Sequence, residues 1–426
     1  MMNRNRVDRE TSRQGGGQDP ADNRVLLFSY AFPPMQVQMT PAVLKGMAGL
    51  SRLGYKVDVL CADSFSPFLP KDSSLLAYAS EHFGEVFRVR PRLGILGRLR
   101  QKSTALARVP DLMAVLHRPA FEMLMSLPIQ SYRTVITWSP FHSVNLVMVK
   151  AKRERPEMRW IAQFSDPWAA NPLEKHFLIR TWSWWNEPMT VRTADAIVHT
   201  SSYARDLMLS THPAEMVKKT FVIPHCYDEA LYPRRAKRSN ERITLRYVGV
   251  LFGRRSPELL FEAFRKILRE RPELRQRLLL EFVGYVPPEM LQTPAARSLP
   301  EGMVRTAGTV DYLKSLEMMY DADILLVIDA DTKQNLFMPS KLADYLGANT
   351  PIVGLVPKGG SEDILRELGC WHARPSDFEG ITTCLMAALD YLAGGANRPW
   401  CDEARRRGYR NDEAAKEWVR IIERDR

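Results

Sequence analysis

The chain has 426 residues, with 60 lysines and arginines against 49 aspartates and glutamates and a formal net charge of +11. Apolar residues make up 45% and charged residues 26%, which is ordinary for a globular protein and excludes a disordered or fibrous class. Because one hydrophobic core rarely serves a chain of this length, we expect two domains of roughly 200 residues each. No run approaches the ~20 apolar residues of a membrane-spanning helix.

The N-terminal residues 1–22 are polar and lack the apolar stretch of a secretory signal, so they are predicted to form a disordered tail. The five cysteines are scattered, odd in number and without CxxC spacing. This pattern indicates reduced thiols and argues against disulfides or structural zinc. We therefore expect a cytoplasmic protein without a metal site.

Short apolar runs alternate with helical stretches through the first half of the chain, which is the pattern of a parallel sheet covered by helices. Thr40 and Pro41 predict a helix start, with threonine as N-cap and proline at the first helical position. Further helices are expected at 141–153 and 201–210. The predicted strands lie at 25–30, 55–61, 85–89, 134–137, 159–163 and 196–200, and one more ends near 221–224.

The polar, proline-containing segment 226–240 is predicted to connect two domains, since a second alternating series starts after it. The series has predicted strands at 244–248, 278–283, 304–307, 324–328 and 351–355. We expect an α/β protein with two doubly wound, Rossmann-like domains, 23–225 and 241–408, that face a central cleft. The amphipathic segment 409–426 is expected to cross back to the first domain. Ligands of such sheets bind outside the carboxyl ends of the strands.

Two basic motifs of the second half predict an anion site. Ser340 precedes a helical run as a candidate N-cap, and Lys341 adds a cation where the helix dipole prefers an acid, which suggests an external anion such as a diphosphate. Gly249 opens a loop after a predicted strand, and Arg254 and Arg255 end it, where guanidinium groups can hold phosphate oxygens. A capped helix with a solvated lysine and a solvated arginine pair are the alternatives.

Other nucleotide-binding and hydrolytic motifs are missing from the sequence. The loop 31–39 after the first predicted strand contains no glycine, whereas the dinucleotide fingerprint needs several. A P-loop, an HExxH motif and a GxSxG motif are also missing. A nicotinamide or flavin enzyme is therefore disfavoured, and no cofactor is expected.

The ordered set of segments resembles a GT-B glycosyltransferase of the large retaining family 4. The similarity covers nearly the whole chain from residue 25 and includes an Asp-Pro-Trp signature that begins at Asp166. The segments that carry it are FSYAFPPMQVQMTPAVLKGMAGLSRLGYKVDVLC, TWSPFHSVNLVMVKAK, WIAQFSDPW, TADAIVHTSSYARDLM, VIPHCYDEALYP, YVGVLFGRRSPELLFEAF and PSKLADYLGANTPIVGL. The last of them is similar to the family's nucleotide-sugar helix and is the most specific.

The resemblance implies site residues position by position. Arg255, Lys341 and Ser340 fall where the family binds the donor diphosphate, beside Gly249 and Arg254. Asp344 falls at the second glutamate of the family's Glu-x7-Glu motif, which binds ribose, whereas Leu336 replaces the first glutamate. On the acceptor side of the cleft, Asp166 is expected to orient a hydroxyl or to cap a turn, and His142 is a candidate catalytic residue with a structural alternative.

The implied activity is transfer of a sugar from a nucleotide sugar to a glycan or lipid-linked acceptor, with retention and without an obligatory metal, in surface polysaccharide or glycoconjugate synthesis. The basic segment 88–118 suggests an anionic membrane surface, against a merely solvated basic surface; no nucleic-acid-binding module is recognised. The tryptophans of TWSWWNEP, 182, 184 and 185, suit a membrane, a lipid-linked acceptor or helix packing. An inactive GT-B binding protein or scaffold and a sugar-nucleotide epimerase stay open as alternatives.

Overall fold

The computed structural model describes residues 23–63, 70–91, 111–139 and 141–424, and two parallel sheets organise them. The sheet of the N-terminal domain has seven strands in the order β3-β2-β1-β4-β5-β6-β7. Its strands are β1 (Arg24–Phe28), β2 (Lys56–Ala62), β3 (Val86–Val89), β4 (Thr134–Ser139), β5 (Trp160–Phe164), β6 (Ala196–His199) and β7 (Thr220–Val222). Every adjacent pair is parallel, as in a doubly wound domain.

The helices of the N-terminal domain connect these strands. They are α1 (Thr40–Arg52), α2 (Leu76–His82), α3 (His117–Ser126), α4 (Ser143–Glu154), α5 (Phe177–Thr193) and α6 (Ser202–Leu209). β1, β4 and β5 are buried along nearly their whole length, which explains why their sequences are mostly apolar and carry few charges.

The C-terminal domain repeats the architecture with six strands in the order β10-β9-β8-β11-β12-β13. The strands are β8 (Ile243–Val248), β9 (Leu278–Val283), β10 (Val304–Gly308), β11 (Ile324–Ile328), β12 (Ile352–Leu355) and β13 (Trp371–Ala373). The helices are α7 (Glu258–Glu270), α8 (Pro294–Arg297), α9 (Tyr312–Tyr320), α10 (Ser340–Ala348), α11 (Gly360–Glu367), α12 (Phe378–Ala393), α13 (Glu403–Arg407) and α14 (Asn411–Glu423).

The last helix, α14, lies against α1 of the N-terminal domain. A Cβ atom added at Gly49 on α1 would come within 2.5 Å of the carbonyl oxygen of Asn411, so the two helices approach closely because residue 49 has no side chain. The rings of Trp138 and Trp418 lie 5.9 Å apart, and Arg159 donates hydrogen bonds to the carbonyl oxygens near the end of α14. The helix α14 therefore packs on the N-terminal domain.

The prediction of an α/β fold with two doubly wound domains is confirmed by both sheets. Two helix starts differ from the predictions. The carbonyl group of Met39 opens α1, while Thr40 Oγ1 donates to Met35 O and accepts from Val37 N, so the hydroxyl group holds the preceding loop and does not cap the helix. In α10 the N-cap is Pro339, and no side chain caps the helix.

Two features of the structure bear on membrane contact and on a strand that the sequence did not predict. No helix among the described residues is long and apolar enough to cross a bilayer. Most of the basic segment 88–118 lies outside the described residues. The three-residue strand β13 was not predicted, because its sequence Trp-His-Ala shows no apolar run.

Candidate functional site

The basic motifs of the C-terminal domain gather at the carboxyl ends of its central strands. β8 leads into the loop of Gly249 to Arg255, the neighbouring strand β11 leads into Asp329, and the loop after it ends at the start of α10. This edge is where doubly wound sheets bind their ligands. The sequence prediction placed the same loops there.

Lys341 lies over the end of β8. Its Nζ donates a hydrogen bond of 2.8 Å to the hydroxyl group of Tyr247 and sits 4.1 Å from the centre of that ring, a cation–π geometry. Gly249 has φ +137°, and an added Cβ atom there would lie 3.8 Å from Lys341 Nζ. A side chain at residue 249 would therefore be strained and would fill the space beside the ammonium group.

Arg255 lies at the other end of the same loop. Its guanidinium group is 4.9 Å from the ring of Phe252, and one of its nitrogens is 3.9 Å from Oδ1 of the buried Asp329. Asp329 Oδ1 has no hydrogen-bond partner within the part of the chain that the structure describes. Arg254, the second arginine of the predicted pair, is exposed. Arg255 is thus the better anchored of the two.

Asp329 is fixed through its second oxygen by the start of α11. Oδ2 accepts hydrogen bonds from Ser361 Oγ, at 2.8 Å, and from Asn335 Nδ2, at 2.9 Å. The backbone at Gly359, with φ +132°, packs directly against the backbone of Asn335. Only glycine fits there, because an added Cβ atom would lie 2.0 Å from Asn335 O. The network joins the loop before α10 to the N-terminus of α11.

Ser340 is the first residue of α10 and lies inside its first turn, so it does not cap the helix. Leu342 N donates to Pro339 O at 2.9 Å, which shows that the carbonyl group of residue 339 opens the helix. The first N–H groups of a helix lack partners inside it and attract anions. The N-terminal end of α10 therefore adds to the positive field of Lys341.

Asp344, predicted as a ribose ligand, is buried between the domains, and its contact with ribose stays a prediction. Its Oδ1 forms an ion pair with Lys45 of α1 and accepts a hydrogen bond of 2.8 Å from Tyr312. The residue is 6% exposed, and Lys45 is 1% exposed. The carboxylate is held in a domain contact and not on the open wall of the cleft, because aspartate in this turn faces α1.

Leu336, which stands in place of the first glutamate of the motif, also lies at a domain contact. Its carbonyl oxygen accepts a 2.8 Å hydrogen bond from Ser201 Oγ of the N-terminal domain. Ser201 is the N-cap of α6, and its Oγ accepts from the first turn of that helix. The loop before α10 is therefore attached to the opposite domain.

On the N-terminal side, Asp166 follows the carboxyl end of β5 and is exposed. Protein atoms surround its carboxyl group closely enough that desolvation raises its pKa to about 6. Among the described residues, no backbone N–H group of the following turn donates a hydrogen bond to the carboxylate. Asp166 is available to a ligand.

His142 follows the adjacent strand β4 and stacks on Trp168, with ring centres 4.5 Å apart and planes inclined by 10°. Burial lowers its pKa to about 3, so the imidazole is neutral at neutral pH. His142 Nδ1 and Trp168 Nε1 are buried without partners among the residues that the structure describes. A neutral, stacked histidine fits a hydrogen-bonding group better than a general base.

Some residues of the site escaped the sequence prediction. Asp329 follows a buried apolar strand, which is a usable signal, whereas the contact of Tyr247 with Lys341 depends on tertiary packing. Phe252 and Tyr285 are exposed on neighbouring loops that the bond from Leu251 N to Tyr285 O joins. These two rings add exposed apolar surface beside the cationic loop.

Comparisons with known proteins agree with this geometry at the level of the fold. HepE from Anabaena, solved in complex with UDP and glucose, has a TM-score of 0.63 and 13% sequence identity over 94% of this chain and 99% of that chain. A glycosyltransferase from Rickettsia africae has a TM-score of 0.62 at 10% identity, over 94% and 98% of the two chains. Sucrose-phosphate synthase from Thermosynechococcus elongatus has a TM-score of 0.59 at 16% identity, over 94% and 96%.

The chain has the GT-B fold. No family model matches the sequence, and a search of curated proteins finds no relative. At these low identities the structural likeness concerns the fold alone.

Proposed function

We propose that this protein is a glycosyltransferase that moves a sugar from a nucleotide-sugar donor to a glycan or lipid-linked acceptor. The observation that carries the proposal is the meeting of Lys341 and the loop of Gly249 to Arg255 at the carboxyl end of β8. In the GT-B neighbour HepE, the structure contains UDP and glucose. A hexosyltransferase similar to glycosyltransferase family 4, acting in surface polysaccharide or glycoconjugate synthesis, is the specific form we propose.

The donor side would act by charge. Negative charge grows on the departing diphosphate while the anomeric carbon becomes cationic, and groups already in place stabilise it best. Arg255 and Lys341 would meet the phosphate oxygens together with the N–H groups at the start of α10. In this proposal the sugar is transferred with retention, no divalent ion is obligatory, and the nucleotide sugar is a substrate and not a cofactor.

The acceptor side would lie across the cleft at Asp166 and His142. A carboxyl group with a pKa of about 6 is mostly ionised at neutral pH and can accept a hydrogen bond from an acceptor hydroxyl group. Nδ1 of His142 and Nε1 of Trp168 are buried without partners among the described residues, so a side-chain movement would be needed before a bound glycan could contact them. We propose that Asp166 orients the acceptor. We propose that His142, by stacking on Trp168, holds the indole ring in place and so positions the acceptor indirectly.

The first experiment is an assay of the purified protein with a panel of nucleotide sugars. Arg255→Ala and Lys341→Ala should each weaken nucleotide binding about 10- to 100-fold, as expected for the loss of a charge-assisted hydrogen bond. They should also abolish turnover without changing thermal unfolding. Lys266→Ala, which removes a lysine paired with Glu379 on an exposed surface, is the matched control and should behave as wild type.

The outcomes separate the proposed activity from its alternatives. Interconversion of nucleotide sugars without an acceptor would identify an epimerase. Tight binding with neither transfer nor hydrolysis would identify a binding protein or scaffold. Activity like that of wild type in both the Arg255 and the Lys341 variants would refute the assignment of the donor site.

We also propose that the protein works on an anionic membrane surface, with α5 as a contact. Phe177 and Trp185 are 76% and 78% exposed, and Leu173, Leu178 and Trp184 are exposed as well. On the helix, residues 177, 178, 181, 184 and 185 share one face by their spacing. Aromatic and aliphatic side chains on one face of a helix are typical of interfacial binding. Trp182 instead packs on Trp168, 5.5 Å away.

The charge of the exposed face of α5 is also compatible with an anionic membrane. The exposed positions from 177 to 185 include Arg180 and no carboxylate, and the whole chain carries +11. Phe177→Ser with Trp185→Ser should reduce cosedimentation with phosphatidylglycerol vesicles at least tenfold. Leu53→Ser with Val217→Ser, which changes two exposed apolar residues elsewhere, should not. Unchanged cosedimentation of the first pair would refute the role of α5. The contribution of the segment 88–118 stays a prediction.

A further inference from the structure

A second basic pocket lies on the face of the C-terminal domain away from the cleft. It has a volume of about 540 Å³ and is enclosed by the end of α7, the turn of residues 272–276 and the loop of residues 298–301. Arg242, just before β8, also lines it. These elements lie at the amino ends of β8, β9 and β10, whereas Lys341 and Arg255 lie at the carboxyl ends. The pocket is therefore separate from the donor site.

Four arginines line this pocket against one carboxylate. The arginines are at positions 242, 265, 269 and 275, and the carboxylate belongs to Glu301. Throughout the described ranges, no carboxylate comes within ion-pair distance of any of the four. Elsewhere in the same domain, arginines do have such partners, as Arg246 has Glu281 and Arg235 has Asp321. The pocket thus concentrates positive charge for which the described residues supply no ion-pair partner.

Two of the four arginines are neighbours on one helix, and a third is held by a backbone carbonyl group. Arg265 and Arg269 are one turn apart on α7, where like charges destabilise a helix. Arg242 Nη1 donates a 2.8 Å hydrogen bond to Gly302 O, which orients its guanidinium group beside the same loop. An anion among these groups would remove the repulsion and use their N–H donors.

We infer that this pocket binds a ligand with at least two phosphate groups. The guanidinium fork matches the spacing of phosphate oxygens, and four such groups along one pocket suit a ligand with more than one phosphate group. The volume lies within the range of small-ligand sites, and Gln276 and Ser298 add neutral hydrogen-bonding groups to its wall. A soluble polyphosphorylated metabolite and clustered lipid phosphates are two sources of the same chemistry.

The test is carried out in the full chain with Arg255→Ala and Lys341→Ala, so that the proposed donor site does not contribute. Inorganic pyrophosphate is titrated by calorimetry, and vesicles of phosphatidylglycerol are tested by cosedimentation. Adding Arg265→Gln and Arg269→Gln should weaken binding about 10- to 100-fold in one of the two assays. Arg407→Gln with Arg420→Gln removes two exposed charges elsewhere and is the matched control.

Each result decides the inference. A selective loss with pyrophosphate supports a soluble ligand, and a selective loss with vesicles alone supports lipid phosphates. No difference between the pocket variant and the control in either assay, or no binding of either probe before the pocket residues are changed, would overturn it. Neither result depends on transferase activity, so failure here leaves the proposed function intact.

Discussion

The buried ion pair between Lys45 and Asp344 makes the sharpest prediction about stability. Both residues are almost inaccessible to water, and they connect α1 of one domain with α10 of the other. Asp344→Asn keeps the shape of the side chain but leaves the ammonium group of Lys45 without its partner. Breaking one half of a buried pair costs about 3–5 kcal/mol of the free energy of unfolding. At roughly 2–4 °C for each kcal/mol in a domain of this size, the midpoint of thermal unfolding should fall by about 10 °C.

A paired replacement separates charge from packing. Lys45→Met with Asp344→Leu removes both charges, and replacing a buried pair by apolar residues is often neutral or stabilising, so most of the lost stability should return. The control is Lys266→Met, which breaks the more exposed pair with Glu379 and should cost about 1 kcal/mol or less. Denaturant unfolding of the variants measures these differences.

The same variants decide whether Asp344 binds ribose. If the carboxylate acts only in the domain contact, the paired replacement should bind UDP within a few-fold of wild type. A stable paired variant with affinity reduced tenfold or more would show that the carboxylate also contacts the nucleotide. If Asp344→Asn is as mild as Lys266→Met, the ion pair does not stabilise the protein and our account of this contact fails.

Two further predictions concern the cleft. Because the pKa of Asp166 is raised to about 6, the folded protein holds this proton more tightly than the unfolded chain, so this group lowers stability as pH rises from about 4 to 6. If turnover needs the ionised form of Asp166, the rate should fall below pH 6. Asp166→Asn should be slow and should not show this fall in rate. If the variant still shows it, the pH dependence belongs to another group. Gly359→Ala should lower the free energy of unfolding by about 1–3 kcal/mol or more, because residue 359 has a positive φ and the new Cβ atom would collide with Asn335 O. The variant should also turn over more slowly. Stability unchanged in Gly359→Ala would contradict the close packing of these loops.

The sheets were predictable because their sequences carry the signal locally. β11 is a continuous apolar run and β9 is apolar except for Glu281, and their predicted bounds of 324–328 and 278–283 match the structure. Buried parallel strands have this pattern on both faces of a sheet. Strand β13, with only three residues, has too little sequence for any periodicity to show.

The helix starts were predicted less well, because the same residue types form several local hydrogen bonds. A threonine or serine before a helical run is a good N-cap, yet the hydroxyl group of Thr40 bonds the loop before it. At Ser340 the preceding proline already has the extended backbone of an N-cap, with ψ 129°. Sequence alone does not rank these options, since their energies differ little.

The interior of the site depends on distant contacts and was the least predictable part. Asp344 meets a lysine that is 299 positions earlier in the chain, in an α1 segment that is otherwise apolar. A lysine among buried helical positions is a signal that a partner exists, because buried charges are seldom unpaired. It does not say which carboxylate is the partner. Only the packing of the two domains supplies that answer.

Leu336 and Asp344, which the sequence resemblance aligns with a Glu-x7-Glu motif, both contact the N-terminal domain. The carbonyl group of Leu336 accepts from Ser201, and the carboxylate of Asp344 pairs with Lys45, so each end of the segment contacts the N-terminal domain. A leucine at position 336 offers a ligand only its backbone. Recognition of the donor sugar would therefore rest on backbone groups of the loop between β11 and α10, whose course Asn335 and Gly359 fix. Such a site would select the sugar ring by shape, while Arg255 and Lys341 would hold the diphosphate by charge.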